Sequence, residues 1–208
     1  MPKLRIGLTA PGELAPKSQF FDVDEVWLEI GFGGGEHMVQ QARGHPRVGF
    51  LGCEPFIDGV AKVLSAIDEF SDKNIRLHDD DAREVMTALT AKSIARAFIL
   101  FPDPWPKVRH QKRRIIQPGF LDELHRIMAP GGQLRFATDV RSYADEAMVQ
   151  FAAHPGFEWT AQKASDWTQP PSDHITTRYE DKRLGDIRPV FYDFVRSAID
   201  GCSSEHHS

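Results

Sequence analysis

A glycine-rich turn caught between an apolar β-rich segment and a helix pattern constrains this chain more than any other feature. Residues 26–32 read VWLEIGF and run into GFGGGE at residues 31–36. Gly31, Gly33 and Gly35 permit a tight turn and let a ligand approach the backbone closely. Helical spacing follows over 36–43 and is stopped by Gly44 and Pro46. The alternation then repeats, with strands expected at 48–54, 74–80, 94–101 and 133–139. Helices are expected at 56–70, 82–89, 119–128 and 143–153, the one at 119–128 stopped by Pro130-Gly131-Gly132. Alternation of this kind implies a parallel sheet covered on both faces. Residues 157–161 and 190–196 are also strand-like with no helix pattern between them, so the last of seven strands is expected to pair antiparallel.

A chain of 208 residues suits one domain, expected over 1–200, with an irregular segment at 1–22 and a disordered tail at 201–208. The apolar share of 41% excludes an unfolded chain, and no apolar run is long enough to span a bilayer. The start, MPKLRIGLTAPGE, has no secretory core. Cys53 and Cys202 lack disulfide or zinc spacing, which implies a reducing, cytoplasmic setting. The nine histidines include no helical pair four residues apart, so no metal site is expected. Trp159 and Trp167 read as core rather than stacking platforms.

Acids at successive strand ends carry the chemistry. Glu29 lies two residues before Gly31, on the same side of the strand. A carboxylate there repels a pyrophosphate and suits a cationic ligand, such as the sulfonium and amino group of S-adenosylmethionine. Glu54, 23 residues after Gly31, is placed to accept ribose hydroxyls, and Asp81, or its neighbours Asp79 and Asp80, an adenine amino group. The fourth strand leaves through FPDPWPK (residues 101–107), where Pro102, Pro104 and Pro106 stiffen the loop and present Asp103, Trp105 and Lys107. A basic run, KVRHQKRR, follows at 107–114 in a chain of net charge −5, so any nucleic-acid contact must be local.

These segments, LEIGFGGGE, GCEP and FPDPWPKVRHQKRR, with TDV at 138–140 and TRYE at 177–180, resemble the tRNA guanine-N(7) methyltransferase family of TrmB type. The resemblance covers most of the chain from about residue 21, and DPWPK with its basic continuation is its most specific part. It implies a Rossmann-like class I methyltransferase fold. It also implies methyl transfer from S-adenosyl-L-methionine to the 7-position nitrogen of a guanine in the tRNA variable loop (position 46). By that similarity Glu29, Gly31, Gly33, Glu54, Asp81 and Asp103 are cofactor-binding, with Asp103 catalytic. Lys107, Asp139, Thr177, Arg178, Tyr179 and Glu180 are substrate-binding. Arg109, Lys112, Arg113 and Arg114 are expected to contact tRNA phosphates, and the protein to act as a monomer or homodimer. One departure is that residues 1–22 hold no clear equivalent of the basic, Arg- and Gly-containing stretch that family members commonly carry ahead of the first strand, so either the sequence starts short of it or tRNA is held with fewer N-terminal contacts.

Three other readings are weaker. A methyltransferase acting on protein or a small molecule would use an Asn/Asp-Pro-Pro-aromatic loop after the fourth strand, whereas DPWPK and its basic continuation point to nucleic acid. A dinucleotide oxidoreductase is disfavoured by Glu29 and by the lack of a Tyr-x-x-x-Lys pair, and a non-catalytic RNA-binding scaffold by the retention of Glu29, Glu54 and Asp103.

Overall fold

The computed structural model describes residues 4–70, 73–182 and 184–198. The expected tail, with Cys202, His206 and His207, lies outside them. Four β-branched and aromatic runs form parallel strands as expected: β1 (Glu25–Ile30), β2 (Val48–Cys53), β3 (Ile75–His78) and β4 (Ile94–Leu100). The intervening helices are α1 (Glu36–Gly44), α2 (Ile57–Phe70) and α3 (Ala82–Ala88). Beyond β4 follow α4 (Pro118–Ile127), β5 (Met128–Thr138), α5 (Arg141–Ala153) and β6 (Phe157–Trp159). Two short helices, α6 (Ser165–Thr168) and α7 (Arg178–Lys182), precede the last strand, β7 (Val190–Arg196).

The seven strands lie in the order β3-β2-β1-β4-β5-β7-β6, with β7 antiparallel to both its neighbours. Period-two alternation splits the core in two. Leu28, Ile30, Ala97 and Ile99 pack on one face, and Trp27, Phe98 and Leu100 on the other. Both faces of the central strands are therefore dry, which is why their sequences are almost wholly apolar. The chain runs outward from β1 through β3, then returns to β4 on the other side of β1. Such a reversal opens a crevice at the carboxyl ends of the two middle strands. Pairing of Ile30 with both Cys53 and Ile99 sets the tips of β2, β1 and β4 side by side.

Three expectations need correcting. β5 starts at Met128 and runs through Pro130-Gly131-Gly132, because the register slips between the Ile94 and Arg96 pairings and accommodates the breakers. The stretch between β6 and β7 is not free of helix. Trp159 is 41% exposed at the sheet edge, its ring tilted against Trp167 and edge-on to Tyr192, whereas Trp167 packs on the core.

Candidate active site

A cleft of about 820 Å³ opens at the crevice between β1 and β4, walled by the glycine turn, the tips of β2 and β3, the proline loop and α7. Gly31, Gly33 and Gly35 have φ of 74°, 54° and 78°. Only glycine adopts such angles without strain, so any other residue at those positions would strain the turn. Glu54 is buried and holds the turn: one carboxylate oxygen accepts the Gly33 N–H at 2.7 Å and the other the Phe56 N–H at 2.9 Å. Each oxygen keeps a further lone pair for a ligand hydroxyl.

Glu29 is buried in the cleft wall, and its Oε2 lies 2.6 Å from Nδ1 of His37 on α1. Asp80 and Asp81 both border the cleft, whereas Asp79 is paired with Arg5 at 2.7 Å and does not. Asp81 also caps α3, accepting the Arg83 N–H at 2.9 Å.

The proline loop is bent by two non-glycine residues in the left-handed region, Phe101 at φ 51° and Trp105 at φ 41°. Conformations of this kind cost of order 1–3 kcal/mol and persist where neighbours enforce them. Arg114 is the enforcing neighbour. Its side chain is fully buried and donates to the Pro104 carbonyl at 2.8 Å, to the Ser142 carbonyl and hydroxyl, and to Glu146 on α5. The expected phosphate contact by Arg114 is therefore corrected, because its guanidinium has no exposed surface and four of its five N–H groups already have acceptors inside the protein. Arg113, next in the chain, is exposed, borders the cleft and lies over the Trp105 ring at 4.9 Å. Lys107, Arg109 and Lys112 are exposed around a 3₁₀ turn and do not line the cleft. Asp103 is exposed on the cleft wall beside Trp105.

TRYE is not an ordinary loop. Thr177 accepts the Glu180 N–H at 3.4 Å and Glu180 accepts the Thr177 N–H at 2.9 Å, a capping box that starts α7. The T-x-x-E spacing could have revealed it. Thr177, Arg178 and Tyr179 line the cleft, but Glu180 points its other oxygen at His174, 2.9 Å away. Asp139 is buried behind α7 and outside the cleft wall, accepting the Gly185 N–H at 3.0 Å and the Tyr179 hydroxyl at 3.5 Å. Burial raises the Tyr179 phenol, and the Asp139 and Asp103 carboxylates push it the same way, so it remains a donor. Sequence reasoning missed Glu36 and Lys182, which also line the cleft, and the 3.1 Å ion pair from Glu36 to Arg178. It also missed Asp173, which binds both Arg96 at 2.7 Å and Arg135 at 2.6 Å.

Sheet order and cleft together place the chain in the methyltransferase class, and residues 24–191 match the family model described as "Putative methyltransferase". The fold is similar to that of the 16S rRNA methyltransferase KamB, with a TM-score of 0.59 at 14% identity over 85% of this chain and 89% of that one. It is similar also to a 16S rRNA (adenine(1408)-N(1))-methyltransferase from Catenulisporales acidiphilia solved with its cosubstrate, with a TM-score of 0.58 at 15% identity over 85% and 87% of the two chains. Among proteins of known sequence, the tRNA (guanine-N(7)-)-methyltransferase of Hyphomonas neptunium is 53% identical over 88% of this chain and 84% of its own length. That of Rhodospirillum rubrum is 50% identical over 94% and 79%. The chain belongs to the tRNA (guanine-N(7)-)-methyltransferase family.

Proposed function

We propose that this protein transfers a methyl group from S-adenosyl-L-methionine to the 7-position nitrogen of a guanine in the tRNA variable loop, giving 7-methylguanosine. The observation that carries the reading is the juxtaposition of the acid-lined glycine turn with the proline loop, which brings Asp103 and Trp105 to the same cleft.

The residues present fit the methyl donor. A Cβ added at Gly31 or Gly33 meets no atom within 4 Å, so the turn borders open cleft that a ligand can fill. The buried Glu29 and Glu54 suit a cationic nucleoside and disfavour a diphosphate. When bound, S-adenosylmethionine supplies an electrophilic methyl on a sulfonium centre.

Glu54 holds the ribose hydroxyls, Asp80 or Asp81 the adenine edge, and Glu29 the cationic end. The 7-position nitrogen of guanine has an in-plane lone pair and no proton to lose, so the site needs no general base. What it needs is alignment, which is worth several kcal/mol. The stiff proline loop provides it by fixing Trp105 and Asp103 against the cleft. The Asp103 carboxylate offsets the positive charge that develops on the purine. Tyr179 and Thr177 border the base, with Asp139 orienting Tyr179 from behind. Arg178, Lys182 and Arg113 at the rim, with Lys107, Arg109 and Lys112 along the adjoining turn, attract phosphates and offset the few kcal/mol needed to extrude a stacked base.

No helix among the described residues is long and apolar enough to cross a membrane. The setting we assign is the cytoplasm, with tRNA as partner and the protein a monomer or homodimer. The test is incubation with unmodified tRNA and methyl-labelled donor, followed by nucleoside analysis. Label is expected in 7-methylguanosine, and Asp103→Ala is expected to lower the rate about 10²-fold or more while S-adenosylhomocysteine still binds. Label in any other nucleoside overturns the reading.

A further inference from the structure

Gln41 lies on α1 with its side chain buried, beyond the cleft wall. Its amide nitrogen donates to the Asp173 carbonyl oxygen at 2.9 Å and lies 3.4 Å from Nε2 of His37. His37 in turn reaches Glu29 through Nδ1. The donors and acceptors admit one consistent assignment. An ionised Glu29 only accepts, so Nδ1 carries the proton. Nε2 then has a lone pair for one hydrogen of the Gln41 amide, and the other hydrogen goes to Asp173.

Asp173 anchors the chain segment that leads to α7. Its carboxylate is gripped by Arg96 and Arg135 from the sheet, and Arg135 is gripped also by Asp193 of β7 at 2.7 Å. The next residue, His174, packs edge-on against Phe191 and bonds Glu180, which closes the capping box of α7. An unbroken line of polar contacts therefore runs from the acid at the glycine turn to the segment that carries Arg178 and Tyr179 to the cleft.

We propose that Gln41 and His37 are positioning residues that couple the two halves of the site, so that the cofactor side and residues 173–180 order one another. This rests on the proposed function and deepens it. If the segment lifts away, the buried Gln41 amide loses its acceptor and the His37–Glu29 pair loses its outer support. An unmet buried donor is disfavoured, so a ligand that fixes Glu29 favours the docked segment. Linkage makes the effect reciprocal: whatever holds the segment down also tightens the cofactor side.

The experiment measures the Kd of unmodified tRNA for the full chain, with and without saturating S-adenosylhomocysteine. The wild type is expected to bind tRNA about five-fold or more tightly with it, within the ordinary range of coupling. In Gln41→Leu, which keeps the volume and removes the amide, that ratio is expected to fall to about one. His37→Asn retains an N–H on the Glu29 side and has no atom in place of Nε2, so it is expected to lose the ratio too, and it serves if Gln41→Leu does not fold. A merely structural role lowers stability or both affinities without moving the ratio. A wild type that binds both ligands independently, or a folded variant that keeps the wild-type ratio, overturns the coupling alone. Binding of neither ligand by the wild type overturns the proposed function and this inference with it.

Discussion

The two walls of the cleft are built differently. On the cofactor side, the glycine turn and proline loop are fixed by backbone conformation and buried contacts: three glycines at positive φ, Glu54 on the Gly33 N–H, and the fully buried Arg114 on the Pro104 carbonyl. On the substrate side, the described residues between 160 and 189 form two short helices and are tied down by charge. Asp173 binds two arginines, Glu36 binds Arg178, and Asp139 takes the Gly185 N–H. A wall fixed by packing responds to changes of volume, and one fixed by half-exposed charges responds to pH and salt. The difference suits a site that keeps a small cofactor in one geometry yet must admit a large polyanion.

The largest effect is expected from Arg114→Ala. It leaves Glu146 without its partner and the strained loop without its tether, and removal of one member of a buried pair costs about 3–5 kcal/mol. Calorimetry is expected to show that loss, while Arg113→Ala, one residue away and exposed, leaves melting unchanged. Similar melting temperatures for the two variants would break the contrast between buried and exposed halves of the basic run. Next comes Gly59→Ala. Its Cβ would sit 2.2 Å from the Gly33 carbonyl oxygen, so α2 or the glycine turn must shift. Overpacking of this kind costs about 1–3 kcal/mol. Titration calorimetry with S-adenosylhomocysteine is expected to show affinity falling about ten-fold, although Gly59 supplies no side chain to the ligand.

The same division explains how much was legible in the sequence. Local rules write the cofactor side: an apolar run, glycines where φ must be positive, and an acid at each strand end. Residues 190–196 were likewise delimited by their own alternation. The substrate side is written in pairs such as Arg135 with Asp173 and Gln41 with Asp173, 38 and 132 residues apart, which no local pattern announces. Arg114 failed for a related reason. In the run KRR its charge looks like that of Arg113, and only the approach of α5 buries one and leaves the other outside. TRYE, by contrast, carries a readable T-x-x-E signature inside a stretch expected to be free of helix.

On the substrate side, burial alone would raise the Asp173 carboxyl, but Arg135 and Arg96 hold it down at about 2, against an ordinary 3.8. A depressed acid contributes stability that is complete above about pH 4 and is lost as pH falls through 2. With a third of the side chain exposed, that contribution is about 1–2 kcal/mol after solvent screening. Asp173→Asn is expected to lose it at neutral pH and to raise KM for tRNA more than it weakens S-adenosylhomocysteine binding. Melting curves from pH 5 to 2 are expected to converge for wild type and variant at the acid end. A constant gap across that window would mean that the arginines hold this segment by shape rather than charge.

The smallest effect sharpens the comparison at its outer edge. Arg109 and Lys112 are exposed on the turn that follows the proline loop, so replacing both by glutamine is expected to leave melting within about 0.5 kcal/mol of wild type. Their work, if tRNA passes along this turn, is counterion release. Each lost phosphate contact lowers the slope of log Kd against log salt concentration by about 0.7–0.9, so the double variant is expected to flatten it by up to about 1.8. Arg178→Gln tests the other rim in the same assay, but there the guanidinium already has Glu36 as a partner. A phosphate must displace that carboxylate, so its slope change is expected to be smaller than for either residue of the turn. If Arg178→Gln flattens the slope more than the double variant does, the polyanion enters over α7 rather than along the basic run, and the charge-built wall is its main support.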